Sequence, residues 1–178
     1  MWEIEKPDWI SPPLEPFLTI LDWSPVPKFL ENDEFLAGAN IAFPKNLLST
    51  FNGFQVGLDR VGTKLISNGE ISLLNQIKEA GYKVYYHPLI SVQHLVPISR
   101  MKISWFKSRF FWQGYSDAVM GLYNDNPSLF SRSKQLIILS CQLLWNFLSD
   151  KKSTDKLYSK LMNHYKLGKM RGLCAKIK

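Results

Sequence analysis

The chain has little cysteine, a shortage of carboxylates and no hydrophobic run long enough to span a bilayer. Cys141 lies in an apolar stretch and Cys174 in a basic one. That pattern excludes a disulfide framework or a cysteine metal cluster, and a reducing, cytoplasmic location is expected. The opening residues, MWEIEKPDW, have neither a basic start nor an apolar centre, and they are not expected to act as a secretory signal. The longest apolar stretch, Gln135 to Leu148 (QLIILSCQLLWNFL), is shorter than the roughly 20 residues of a spanning helix. It reads as a buried or interfacial helix. Internal repeats, low-complexity segments and nucleic-acid-binding motifs are also lacking, so nucleic acid is not an expected partner.

What remains is globular in character. The 178 residues are 46% hydrophobic and 13% aromatic, too apolar for a disordered chain and of a length that suits one domain. Aromatics in this number serve a core, a sugar-stacking platform or a membrane interface. Lysine and arginine number 22 against 15 aspartates and glutamates, a net charge of +7. The excess is uneven: from Asp150 to Lys178 there are nine cations and two aspartates. Such a tail is either simply solvated or drawn to phosphate, on a nucleotide or at the anionic inner face of a membrane.

Six of the ten prolines fall in the first thirty residues. Proline fixes its own backbone and biases its predecessor toward extended structure, which predicts an extended arm with Phe17 to Trp23 as a short strand. The start resembles the middle of a connection, so an upstream segment is expected. Residues 35–43 (FLAGANIAF) predict a buried strand with Gly38 permitting close approach. Residues 44–51 predict a short helix opened by Pro44, and Asn52-Gly53 a turn. Apolar spacing at Ile71, Leu73, Leu74 and Ile77 predicts a helix from Glu70 to Ala80, ended by Gly81. Strands are expected at 83–87 and 89–95. Helices are expected over 101–123, with Pro127 as a break, and then over 131–149 and 153–166.

Four segments in this order resemble family-2 glycosyltransferases of the GT-A fold: FLAGANIAFPKNLLSTFNGF (35–54), SNGEISLLNQIKEAGYKVYYHP (67–88), SVQHLVP (91–97) and RFFWQGYSDA (109–118). The tail KLGKMRG (166–172) is similar as well. The resemblance implies an α/β fold: part of a GT-A-like, Rossmann-like mixed sheet followed by C-terminal helices. Residues 1–124 would be the acceptor-side half with its proline-rich arm. Residues 125–178 would be a helical, basic, membrane-peripheral extension. The family's other half binds the nucleotide and ends in an Asp-x-Asp motif that holds a divalent metal. No Asp-x-Asp occurs here, so a manganese or magnesium ion is expected only for a complete enzyme, and a second chain supplying the nucleotide-binding half is an expected partner.

The same resemblance assigns site residues. Glu70 stands where the family's catalytic base opens a helix, although Gly69 replaces the acidic residue that usually precedes it. Within hydrogen-bond reach of an acceptor hydroxyl, such a carboxylate can take its proton. The plain alternative is a helix-capping glutamate. His94 matches a histidine near the metal or diphosphate, a role imidazole suits; otherwise it is a core histidine. Arg109, Trp112 and Gln113 match a helix beside the acceptor, where indole and amide suit sugar, or else they are packing residues. Gly38, Ala39 and Asn40 match a segment beneath the reacting sugar, or close strand–helix packing. The implied activity is inverting transfer of a sugar from a nucleotide-sugar to an acceptor glycan or lipid-linked acceptor. The alternative is a non-catalytic remnant or docking module. A half-sheet would also expose an edge and apolar surface, which predicts marginal stability or self-association.

Overall fold

The prolines at 12, 13 and 16 shape the first element. A computed structural model describes residues 1–31, 34–148 and 156–175. In it Pro12–Leu18 forms a 3-10 helix with proline at its first positions, burying Leu14 and Leu18. Fixed proline torsions suit a helix start. Thr19, at φ +65°, ends the element, with its N–H and that of Ile20 bonded back to Pro16 and Glu15. The strand expected over Phe17 to Trp23 is therefore not formed.

Helix dominates, beside one small sheet. β1 (Lys28–Phe29) pairs antiparallel with β2 (Tyr85–Tyr86), Lys28 opposite Tyr86 and Phe29 opposite Tyr85. Pro27 and Pro88 flank these strands, and proline cannot donate to a ladder. The strand expected at 83–87 is thus only two residues long. The strand expected at 35–43 is replaced by a turn at Gly38–Ala39, where the Asn40 N–H bonds the Ala37 carbonyl at 2.9 Å. The strand expected at 89–95 is absent too; pairing there is one parallel bridge between Trp2 and Val96. The content is mixed α and β, but the several-stranded sheet expected from the resemblance is not present among the described residues.

The helices follow the sequence expectations, except that the last, expected to end at 166, continues to Leu173. α1 spans Lys45–Thr50 and α2 Gly69–Glu79. Gly81, at φ +88°, ends α2 with its N–H on Lys78 and the Tyr82 N–H on Ile77, the paired bonds of a glycine-terminated helix. α3 spans Ile103–Asp125, α4 Leu129–Leu148 and α5 Lys156–Leu173. Residues 149 and 153–155 of the expected last two helices lie outside the described residues, as do several charges of the basic tail. Asn126 at φ +40° and Pro127 separate α3 from α4. The Ser128 hydroxyl accepts the Ser131 N–H at 3.2 Å and caps the start of α4.

The chain divides into two units. The first joins Met1–Gly57 to Gly69–Lys102, and the second joins Leu58–Asn68 to the described residues from Ile103 onward. Buried apolar residues of the first include Ile10, Leu14, Leu18, Leu73, Ile77 and Val96; those of the second include Leu58, Phe106, Phe110, Leu122 and Leu161. Within the second unit, α3 and α5 approach through glycines. A Cβ at Gly114 would collide with the Tyr165 carbonyl, and one at Gly168 with the Phe111 carbonyl. One at Gly172 would lie 2.6 Å from the Tyr115 oxygen and 2.7 Å from the Ala118 Cβ. Arg132 of α4 donates from Nε at 2.9 Å and from its guanidinium terminus to the Leu173 carbonyl, capping the end of α5.

Gly168→Ala should therefore cost about 2–3 kcal/mol through forced separation of two backbones. At Gly121, midway along α3, an added Cβ would meet only Asp125 Oδ2 at 3.9 Å. Gly121→Ala should be neutral or stabilising by up to about 1 kcal/mol. Thermal unfolding followed by circular dichroism separates the two, and equal midpoints for both variants would show that close α3–α5 contact is dispensable.

Candidate functional site

The candidate residues divide between the two units. In the first, Glu70 occupies the opening turn of α2, where exposed N–H groups favour a carboxylate. Its side chain reaches back to the turn at Gly38, whose N–H donates to Glu70 Oε1 at a long 3.4 Å. A Cβ at Gly38 would sit 3.5 Å from the Glu70 carboxyl, an ordinary contact. Lack of a side chain at Gly38 is thus not demanded by packing against α2.

Ala39 and Asn40, the next residues, line a pocket of about 410 Å³ with Trp23, Tyr85, Tyr86 and His94. Asn40 is oriented by its own amide, which donates to the Ile90 carbonyl at 2.9 Å. Trp23 is held by its indole N–H on the Phe35 carbonyl at 2.7 Å. The Tyr86 hydroxyl donates to Asp22 at 3.2 Å. Burial, reinforced by the Asp22 hydrogen bond and charge, raises the Tyr86 phenol above its ordinary value. The pocket wall is therefore aromatic, with an amide and an imidazole among its polar groups. That combination suits the apolar faces and hydroxyls of a sugar.

His94 Nδ1 is buried without a hydrogen-bond partner. Burial chiefly, then the Arg100 guanidinium and the amino terminus, lower the imidazole below its ordinary value, against a weak pull from the Leu18 carbonyl. A neutral imidazole can ligate a metal or donate one hydrogen bond. However, no three His, Cys, Asp or Glu among the described residues are grouped to hold a metal ion, and Arg100 opposes a cation beside His94. The described residues do not fit a resident divalent metal there.

Arg109, Trp112 and Gln113 lie on α3 in the second unit, where they face different demands. Gln113 Nε2 donates to Asn68 Oδ1 at 2.9 Å and to Asp117 Oδ1 at 2.7 Å, while Ser67 Oγ meets Gln113 Oε1 at 3.3 Å. Arg109 donates to the same Ser67 hydroxyl at 3.3 Å. Trp112 is half-buried and stacks edge-on with Phe111 and Tyr115, both at 5.4 Å. Its carbonyl accepts the Ser116 hydroxyl at 2.7 Å, and Ser116 in turn accepts the Ser67 N–H at 3.0 Å. Gln113 and Arg109 thus bind the Ser67–Asn68 segment to α3, a use that the sequence alone did not suggest.

Asp117 organises this network and escaped the sequence reading. It accepts Asn68 Nδ2 at 2.6 Å as well as Gln113 on Oδ1, and the Tyr165 hydroxyl at 2.7 Å on Oδ2. The signal available was its i+4 spacing from Gln113 on one helix face; Asn68 and Tyr165 are each nearly fifty residues away in sequence and gave none. Asn68 is 4% exposed and sits at φ +87°, a torsion asparagine tolerates better than most residues. Burial, then the Asp117 charge and hydrogen bond, push the Tyr165 phenol far above its ordinary range.

Because the folded-state value of Tyr165 is raised, its stabilisation is complete below about pH 10, the ordinary phenol value, and is lost as pH rises further. Tyr165→Phe should cost about 1–2 kcal/mol at neutral pH and flatten that alkaline decline in urea unfolding; an unchanged alkaline slope would remove Tyr165 as its source. For His94 the sign is opposite. Its folded value is lowered, so stability falls as pH drops through about 6.5, where the unfolded imidazole takes a proton first. His164 is lowered too, by burial and then Lys107, so His94→Asn should remove only part of the acid loss. An NMR titration placing the His94 midpoint at or above 6.5 would contradict this.

No family model matches the chain, and no solved structure matches it. It is similar to the glucosyl-dolichyl phosphate glucuronosyltransferase of Haloferax volcanii, 29% identical over 129 residues. The alignment covers 68% of this chain and 41% of that protein, so the chain spans about two fifths of the relative's length.

Proposed function

We propose that this chain is the acceptor-side portion of an inverting, family-2-type glycosyltransferase with a GT-A-like plan. The observation that carries the reading is the contact between Glu70 and Gly38, made across 32 positions, immediately before residues that line the aromatic pocket. Similarity to a named glycosyltransferase over 129 residues supports it. The substrates proposed are a nucleotide-sugar and a lipid-linked glycosyl acceptor, the second by analogy with that relative's name. A reducing cytoplasmic setting fits two unpaired, exposed cysteines.

In the proposed step the acceptor hydroxyl oxygen attacks the anomeric carbon and its proton passes to the Glu70 carboxylate. The bond from that carbon to the nucleoside diphosphate oxygen breaks, and the diphosphate leaves with the electron pair. Asn40 and the aromatic wall orient the acceptor. A hydrogen bond from neutral His94 would steady the departing phosphate. We assign nucleotide binding, with its metal clamp, to polypeptide outside these residues. The docking-module alternative is favoured by one observation, the lack of a three-ligand metal group among the described residues.

The test joins this chain to the part of the Haloferax volcanii relative that the alignment does not cover, where the proposal places nucleotide binding. Release of nucleoside diphosphate would be followed with a nucleotide-glucuronate donor and a short-chain glucosyl polyprenyl phosphate. Glu70→Gln should lower kcat about 10²–10⁴-fold with little change in donor KM. Full activity in the Gln variant would remove Glu70 as the base. An inactive chimera that still folds and binds donor would favour the docking module.

A further inference from the structure

Among the described residues, α4 is a long helix whose most apolar face points outward. Phe130, Ile137 and Leu144 recur at seven-residue spacing, which places them on one side of the helix. Together with neighbouring Trp145 they are between 63% and 82% exposed. Ile138 flanks the stripe, also exposed, and the thiol of Cys141 is exposed within it. The opposite side carries Arg132 and Asn146, which bond to Leu173 and Asn163 of α5. Sequence shape usually runs the other way, with the polar face to solvent. An outward apolar stripe on a helix of this length needs a cover.

The charges choose among covers. Neither α4 nor α5 contains an aspartate or glutamate, while together they carry Arg132, Lys134, Lys156, Lys160, Lys166, Lys169 and Arg171. A groove of about 480 Å³ between them opens beside Ile138 and is lined by Gln135, Gln142, Tyr165, Lys166 and Lys169. A second copy of this surface would bring like charges together, which costs association. An anionic partner with an apolar interior satisfies both features. No described helix is long and apolar enough to cross a membrane, so the geometry is that of a helix lying in the interface plane. Tryptophan at one end of the stripe suits headgroup level.

We propose that α4 is a membrane-surface helix: Phe130, Ile137, Leu144 and Trp145 enter the acyl boundary of an anionic leaflet, and Lys166 and Lys169 hold headgroup phosphates in the adjoining groove. The assignment does not depend on Glu70 or on glycosyl transfer. It gives the apolar run and the cationic tail one use, in which the apolar face supplies insertion and the cations supply attraction.

The test uses the full chain with Cys174→Ser, leaving Cys141 for an environment-sensitive fluorophore. It is mixed with phosphatidylcholine vesicles with and without phosphatidylglycerol. A blue-shifted, brighter label and co-sedimentation with the anionic vesicles are expected, weakened but not abolished by salt. Ile137→Glu with Leu144→Glu should weaken partitioning on the order of 30-fold or more. Both positions are exposed, so an unchanged circular dichroism melt keeps the comparison fair. An unlabelled chain, with Lys166→Gln and Lys169→Gln, should lose most of its preference for anionic vesicles. The proposal fails if no vesicle is bound at low salt. It also fails if binding is indifferent to the two glutamates, which would be adsorption by charge alone. Sedimentation showing a dimer that those glutamates dissolve would assign the stripe to a second copy instead.

Discussion

The carbonyl oxygens of Phe111, Tyr115 and Tyr165 lie where Cβ atoms of Gly168, Gly172 and Gly114 would otherwise stand. Two helices can meet backbone to backbone only where side chains are missing on the facing turns. Gly168 and Gly172 are four apart, as are Gly114 and Ala118, so each helix offers small residues one turn apart on one stripe. Phe111 meets Gly168 while Tyr115 and Ala118 meet Gly172, which makes α3 and α5 run in the same direction. At this separation a short bond from Tyr165 reaches Asp117, and Asp117 can gather Gln113 and Asn68. Wider spacing would leave a buried phenol and a carboxylate to find other partners, at a cost near 1–3 kcal/mol for each unsatisfied group. The polar network therefore depends on the glycines.

α4 has no such closeness. It is tied to α5 by Arg132 at one end and Asn146 at the other, with leucines between. Because α5 already spends its glycine stripe on α3, the side it offers α4 is longer and more polar: Met162, Tyr165, Lys166 and Lys169. The outer stripe of α4 is a consequence. Leucines and isoleucines occur on both sides of this helix, and only one side meets α5.

Helices were legible in the sequence because their signals are local. Gly81 as terminator and Pro127 as separator act within a few residues of themselves, and the structure shows both. Strands were less legible. FLAGANIAF has the apolar run of a strand, but strand formation needs a partner edge, and Gly38–Ala39 turns instead. In Pro12–Leu18, prolines that suggested extension instead began a 3-10 helix, since their φ suits both. KLGKMRG was recognisable by likeness, while the reason for its glycines lies on α3, more than fifty residues away. Asp117 was invisible for the same cause: its partners Asn68 and Tyr165 are distant in sequence.

The two carboxylates that matter here differ in what remains available to them. Asp117 receives three donors between 2.6 and 2.7 Å. Its oxygens are engaged with protein groups, and transferring a proton to them would break bonds that hold Ser67–Asn68 and α5 to α3. Glu70 has, among the described residues, one long contact from the Gly38 N–H at 3.4 Å. A general base needs lone pairs that a substrate hydroxyl can approach, and only the second carboxylate keeps them. Gln113 and Arg109 are sorted by the same rule. Gln113 already uses its amide nitrogen twice and its oxygen once, which leaves little for a ligand, whereas Asn40 is oriented by a single bond from its amide nitrogen. In the proposed reading, available hydrogen-bonding capacity thus favours Asn40, Glu70 and His94 over Gln113, while α3 holds the Ser67–Asn68 segment and α5.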